Sequence, residues 1–122
     1  MHAARGLRVL VVDDEPLIRW SISETLGAAG HQVSEAPDAA AALEAVASAP
    51  GLDLVVLDFR LPDSNDLGLL AKIRQMAPRA AVVLMTAFGT ADVTAGALGL
   101  GALRVLNKPF DMHELEEVVR AL

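Results

Sequence analysis

The 122-residue chain has no cysteine and no tyrosine, and its aromatics amount to one tryptophan and three phenylalanines. Without cysteine there is no disulfide framework and no thiolate metal site, so the fold must rest on an apolar core. Positive charge is also short: ten Lys and Arg against sixteen Asp and Glu leave a formal charge of −6. Phosphate backbones are gripped by basic faces, so direct nucleic-acid binding by this chain is not expected. No apolar run approaches membrane-span length, and the opening "MHAARG" carries charge too early for a signal peptide. A cytoplasmic protein without a membrane partner is the expectation. What is present is 53% hydrophobic and 21% charged residues, enough for one domain with a single core.

That core has a period. Leu7–Val12, Leu52–Leu57, Ala80–Met85 and Ala102–Leu106 are nearly unbroken apolar runs rich in Val and Leu, the pattern of parallel strands covered on both faces. The shorter, more polar "VSEA" from Val33 to Ala36 reads as an edge strand. Amphipathic segments lie between them. Pro16 opens the first, Ile18, Ile22 and Leu26 form its stripe, and Gly30 ends it. Asp38 caps a second, with Ala42, Leu43 and Val46 inward and Pro50 and Gly51 beyond it. A third spans about 66–76, with Leu69, Leu70 and Ile73 buried and Pro78 closing it. Thr90 caps a fourth, rich in Ala and Gly. The fifth opens on "DMHE", a capping-box pattern of Asp111 and Glu114, and buries Leu115, Val118, Val119 and Leu122. Five β-α units in a row predict a single α/β domain, a parallel sheet with helices on both faces.

In such sheets ligands bind beyond the carboxyl ends of the strands, so the residues there matter most. Asp13 and Asp14 follow the first strand, Asp58 the third, Thr86 the fourth, and Asn107 and Lys108 the fifth. Each alone reads as a turn, a cap or surface charge. Together they bring three carboxylates, a hydroxyl and an ammonium to one cleft. Two carboxylates a few ångströms apart repel by roughly 4 kcal/mol at a protein surface, so three of them need a cation. Oxygen donors without a nearby His or Cys select a hard ion such as Mg²⁺, which leaves room for phosphate oxygens. In that setting Asp58 is the candidate nucleophile toward phosphorus and Lys108 the mobile positive charge.

"VLVVDDEP", "LVVLDFRLPDSNDLGLL", "VVLMTAFG" and "VLNKPF" resemble, in order and spacing, the motif regions of two-component response-regulator receiver domains. The resemblance spans essentially the whole chain. "IRWSISETL" and "LMTAFGTADVTAGAL" are most similar to receivers of nitrogen-regulation-type enhancer-binding activators. It implies a CheY-like, flavodoxin-like sheet of strand order 2-1-3-4-5, and residues 1–122 as one receiver domain that could be a piece of a longer regulator. It implies that Asp58 takes phosphate from a sensor histidine kinase, that Asp14 binds Mg²⁺ directly, and that Asp13 does so directly or through water. The backbone carbonyl of Arg60 is implied as a further ligand, Thr86 and Lys108 as the groups that hold the phosphoryl oxygens, and Lys108-Pro109 as a cis bond. On this reading the domain is a phosphoacceptor that assists its own transfer and hydrolysis rather than an enzyme. Its further partners are an output domain or downstream protein and, once phosphorylated, a second copy of itself.

The chain also departs from the family pattern. Asp66 stands where glycine is common and adds a carboxylate to the rim. Val105 replaces the usual aromatic, and Leu103 stands at a nearby position where Phe is common, so the threonine-to-aromatic relay cannot run in its usual form. Gly96 and Gly99 could weaken the fourth helix by about 1 kcal/mol each, making Thr90–Leu100 a soft element that responds to phosphate. Small residues that merely permit close packing are the competing explanation. Arg60 and Phe88 flank the site and are expected to affect hydrolysis; Trp20 is expected to be partly exposed, and His2, His31 and His113 solvated. A haloacid-dehalogenase-type phosphohydrolase would carry D-x-D on its first strand, and "DDEP" would repel a flavin phosphate. The alternative that stands is a receiver-like interaction module with weak or no phosphorylation.

Overall fold

The computed structural model describes residues 6–87 and 89–122. Five strands, β1 (Arg8–Val12), β2 (Gln32–Ala36), β3 (Leu54–Asp58), β4 (Ala81–Thr86) and β5 (Arg104–Asn107), alternate with five helices. The helices are α1 (Pro16–Ala28), α2 (Ala39–Ser48), α3 (Gly68–Met76), α4 (Ala91–Gly99) and α5 (Met112–Arg120). All strand pairs are parallel, in the order β2-β1-β3-β4-β5. The order expected from the family resemblance is the order observed.

Alternation within the strands divides the core. Leu10, Val12, Val55, Leu57, Val82 and Leu84 face α2, α3 and α4, while Val9, Val11, Leu54, Val56, Val83 and Met85 face α1 and α5. The three central strands are therefore apolar on both sides, which is why their sequences read as unbroken runs. Asp38 and Thr90 each accept the amide three residues on, and Asp111 and Glu114 complete the capping box.

Several expectations shift. Leu52 and Asp53 precede β3, and the Asp53 carboxylate instead accepts the Arg8 amide at 2.9 Å. β5 is an edge strand with Arg104 and Asn107 exposed, so only part of its run is core. Helix α3 starts at Gly68 because Asp66 turns its carboxylate onto the Gly68 amide, 2.8 Å away. Leu122 lies beyond α5 and is 47% exposed rather than buried. His31 is structural, its Nδ1 accepting the Leu7 amide at 3.0 Å and fastening the approach to β1.

Candidate functional site

The register of the sheet brings the predicted groups together. β1 ends at Val12 beside Leu57 of β3, and Asp58 pairs with Met85 of β4, one residue before Thr86. Asp13 and Asp58 therefore leave adjacent strands side by side. Asp13, Asp14 and Asp58 each place a carboxylate oxygen within 4.8 Å of the others. Asp13 is wholly buried, Asp58 and Thr86 nearly so, and Asp14 is exposed. A cleft of about 280 Å³ opens over them, lined among others by Asp14, Asp58, Arg60, Thr86 and Lys108.

Lys108 is the local counter-charge. Its Nζ lies 2.9 Å from Asp13 Oδ2, 3.2 Å from Asp58 Oδ2 and 3.4 Å from Glu15 Oε1. The Lys108 amide donates to the Thr86 carbonyl at 2.7 Å, and the Lys108-Pro109 bond is cis. One ammonium among three Asp carboxylates leaves a surplus of two negative charges, before Glu15 is counted. The strain appears at Asp58. Burial, and then the neighbouring Asp13 charge, push its carboxyl up to about 6, with Lys108 and the Arg60 amide only partly offsetting them. Burial pulls Lys108 down, but its hydrogen bond to Asp13 and the charges of Asp58 and Asp13 win, leaving it above the ordinary lysine value.

This donor set fits a hard divalent cation: oxygen only, anionic in excess, and open to solvent on the Asp14 side. Asp13 already has both side-chain oxygens engaged, Oδ1 by the Glu15 amide at 2.9 Å and Oδ2 by Lys108.

The remaining candidates lie away from the cleft. Asp66 does not join the rim, since its carboxylate caps the start of α3. Val105 is half-buried against the α2-α3-α4 side of the core, while Leu103 is 48% exposed. Gly96 has a packing reason: a Cβ there would come within 2.8 Å of Leu67 Cδ1, whereas one at Gly99 would meet nothing within 4 Å. Trp20 is 56% exposed, as expected. His113 is exposed beside Glu116. Phe88 and His2 lie outside the described residues.

Two contributors carry little or no sequence signal. Asp63, in the loop after β3, accepts the Ala39 and Ala40 amides at 2.8 and 3.0 Å, which holds its carboxyl below the ordinary range and ties that loop to α2. Gly89 lies where a Cβ would collide with Asn107 Oδ1 and come within 3.1 Å of Thr86 Cγ2. A glycine directly before the Thr90 cap was the available signal for the second. Nothing local marks the first.

Comparison with known proteins gives one consistent answer. Residues 9–120 match the family model described as "Response regulator receiver domain". The response regulator protein PilR of Pseudomonas aeruginosa is 39% identical over 92% of this chain and 25% of its own length. The DNA-binding transcriptional regulator NtrC of Escherichia coli is 38% identical over 94% of this chain and 24% of its own. The chain thus spans about a quarter of the length of these two relatives. A CheY-like receiver domain structure from Methanospirillum hungatei superposes with a TM-score of 0.90 at 26% identity, covering 96% of this chain and 93% of the other.

Proposed function

The chain belongs to the response regulator receiver domain family, and from that premise we propose that it is a cytoplasmic, Mg²⁺-dependent phosphoacceptor whose reacting group is Asp58. The observation that carries the proposal is the clustering of Asp13, Asp14 and Asp58 oxygens within 4.8 Å beside the Lys108 ammonium. When bound, Mg²⁺ supplies charge neutralisation that lets an anionic carboxylate approach an anionic phosphoryl group. Asp14, Asp58 and the Arg60 carbonyl would hold it directly, and Asp13, with both oxygens already engaged, would hold it through water.

An Asp58 oxygen attacks the phosphorus of a phosphohistidine on the sensor kinase. The new bond is O–P, the P–N bond breaks, and its electron pair returns to the imidazole. Lys108 leaves Asp58 to pair with a phosphoryl oxygen, and the buried Thr86 hydroxyl donates to another. Water later hydrolyses the acyl phosphate, with Arg60 at the cleft wall affecting its access. The chain's own residues thus assist transfer and hydrolysis without turning over a separate substrate.

The signal leaves through α4. This helix buries only Ala97, contains Gly96, and packs near the half-buried Val105. We assign Val105, Gly96 and Gly99 to a soft switch region that presents an altered surface to an output domain, a downstream protein or a second phosphorylated copy. The observations favour this over a module that is never phosphorylated, because core packing gives little reason to hold Asp58 where burial, and then the Asp13 charge, raise its carboxyl above the ordinary range.

Incubation with acetyl phosphate and Mg²⁺ followed by intact mass measurement tests the proposal. Wild type gains one hydroxylamine-labile phosphate; Asp58→Asn and the EDTA control gain none. A wild type that remains unmodified supports the interaction-module alternative instead.

A further inference from the structure

Asp13 is held at both ends of its backbone as well as through its side chain. Its amide donates to the Ala36 carbonyl at 3.1 Å, and its carbonyl accepts Nη1 of Arg19 at 2.6 Å. Arg19 sits on the first turn of α1, and its Nε donates at 2.9 Å to Glu35 Oε1 on β2. The rigid guanidinium fork therefore bridges an edge-strand carboxylate and the peptide bond that joins Asp13 to Asp14. That peptide is the one that aims Asp14. The Asp14 side chain is exposed, so its direction is set by the backbone that carries it.

We propose that Arg19, steadied by Glu35, is a positioning residue: it fixes the Asp13–Asp14 peptide so that the Asp14 carboxylate stays within ligand reach of Asp13 and Asp58. The inference rests on the reading of this pocket as a Mg²⁺ site, and it assigns a role to a cation where charge alone predicts the opposite effect. A guanidinium beside clustered carboxylates repels a divalent ion, so by Coulomb's law its removal tightens binding. If orientation dominates, removal weakens binding. The sign separates the two.

The test is Mg²⁺ titration by calorimetry on wild type, Arg19→Gln, Arg19→Lys and Glu35→Gln, each checked for folding by circular dichroism. Arg19→Gln is expected to weaken binding roughly tenfold, the size of effect usual for groups that orient metal ligands. Arg19→Lys, which lacks the fork, restores little. Glu35→Gln weakens binding by a smaller factor and adds nothing in the Arg19→Gln background. In Mg²⁺-free protein, exchange of the Glu15 amide, which donates to Asp13 Oδ1, quickens in Arg19→Gln while that of Val56 in β3 does not. Unchanged or tighter Mg²⁺ binding in Arg19→Gln overturns the proposal. If Arg19→Gln does not fold, Arg19→Lys decides in its place, since it keeps the positive charge and loses the fork: weaker binding supports the positioning role, and unchanged or tighter binding overturns it. Wild type that binds no Mg²⁺ overturns the metal reading instead, and the Glu15 exchange rates then decide the positioning role alone.

Discussion

Asp13 is wholly buried and gripped through its amide, its carbonyl and both side-chain oxygens, whereas α4 spans nine residues and buries only Ala97. The first region assembles charge that would otherwise fly apart, and every contact there restrains it. The second carries exposed Leu98 and two glycines, with small side chains where other helices use leucine or valine. A receiver needs both. Phosphoryl transfer demands groups held to fractions of an ångström, while switching demands an element whose two arrangements differ by only a few kcal/mol. On the proposed function, chemistry belongs to the carboxyl ends of β1 and β3 and response to α4.

The largest effect expected from breaking this contrast is on chemistry. Asp58→Asn abolishes phosphate uptake from acetyl phosphate, read by intact mass, while leaving the fold in place. The next is on the firm side of the core: Leu115 is fully buried on α5, so Leu115→Ala costs about 3 kcal/mol in urea unfolding. Leu98→Ala on α4, where the side chain is 49% exposed, stays within about 0.5 kcal/mol. A similar loss for both would erase the distinction between the two regions.

A pH series sharpens the same point. Asp58 rises from 3.8 unfolded to about 6 folded, so the folded state favours its protonated form. This stabilising contribution is complete below about pH 4 and is lost as pH rises through about 6. In EDTA it amounts to roughly 2 to 3 kcal/mol between pH 4 and pH 7. Asp58→Asn removes that slope, and Mg²⁺ reverses its effect at pH 7 by favouring the carboxylate. Urea midpoints across the range measure it. The smallest effect concerns the glycines. Gly99→Ala raises stability by up to about 1 kcal/mol, because nothing obstructs the methyl. Gly96→Ala gains less, because Leu67 must move to make room.

Much of this is legible in sequence because local and global signals agree. Strand ends show where apolar runs stop, so Asp13, Asp58 and Thr86 fall at one edge of the sheet on the strength of the runs alone. The caps at Asp38, Thr90 and Asp111 have spacing signatures of their own. Other features depend on contacts between distant parts of the chain. Asp63 caps a helix that starts 24 residues earlier, and His31 accepts an amide 24 residues away. No local pattern encodes either. β5 looks like a core strand because its run is apolar, but edge position is decided by strand order rather than composition. Leu122 continues the α5 stripe beyond the turn at which the helix stops.

Coupling of a fixed phosphoacceptor pocket to a yielding α4 would show in amide hydrogen exchange with and without Mg²⁺ and beryllofluoride, a mimic of the acyl phosphate. Altered protection is expected across residues 90–100, with unchanged protection in β1 and β3. Equal protection of α4 in both states would contradict it.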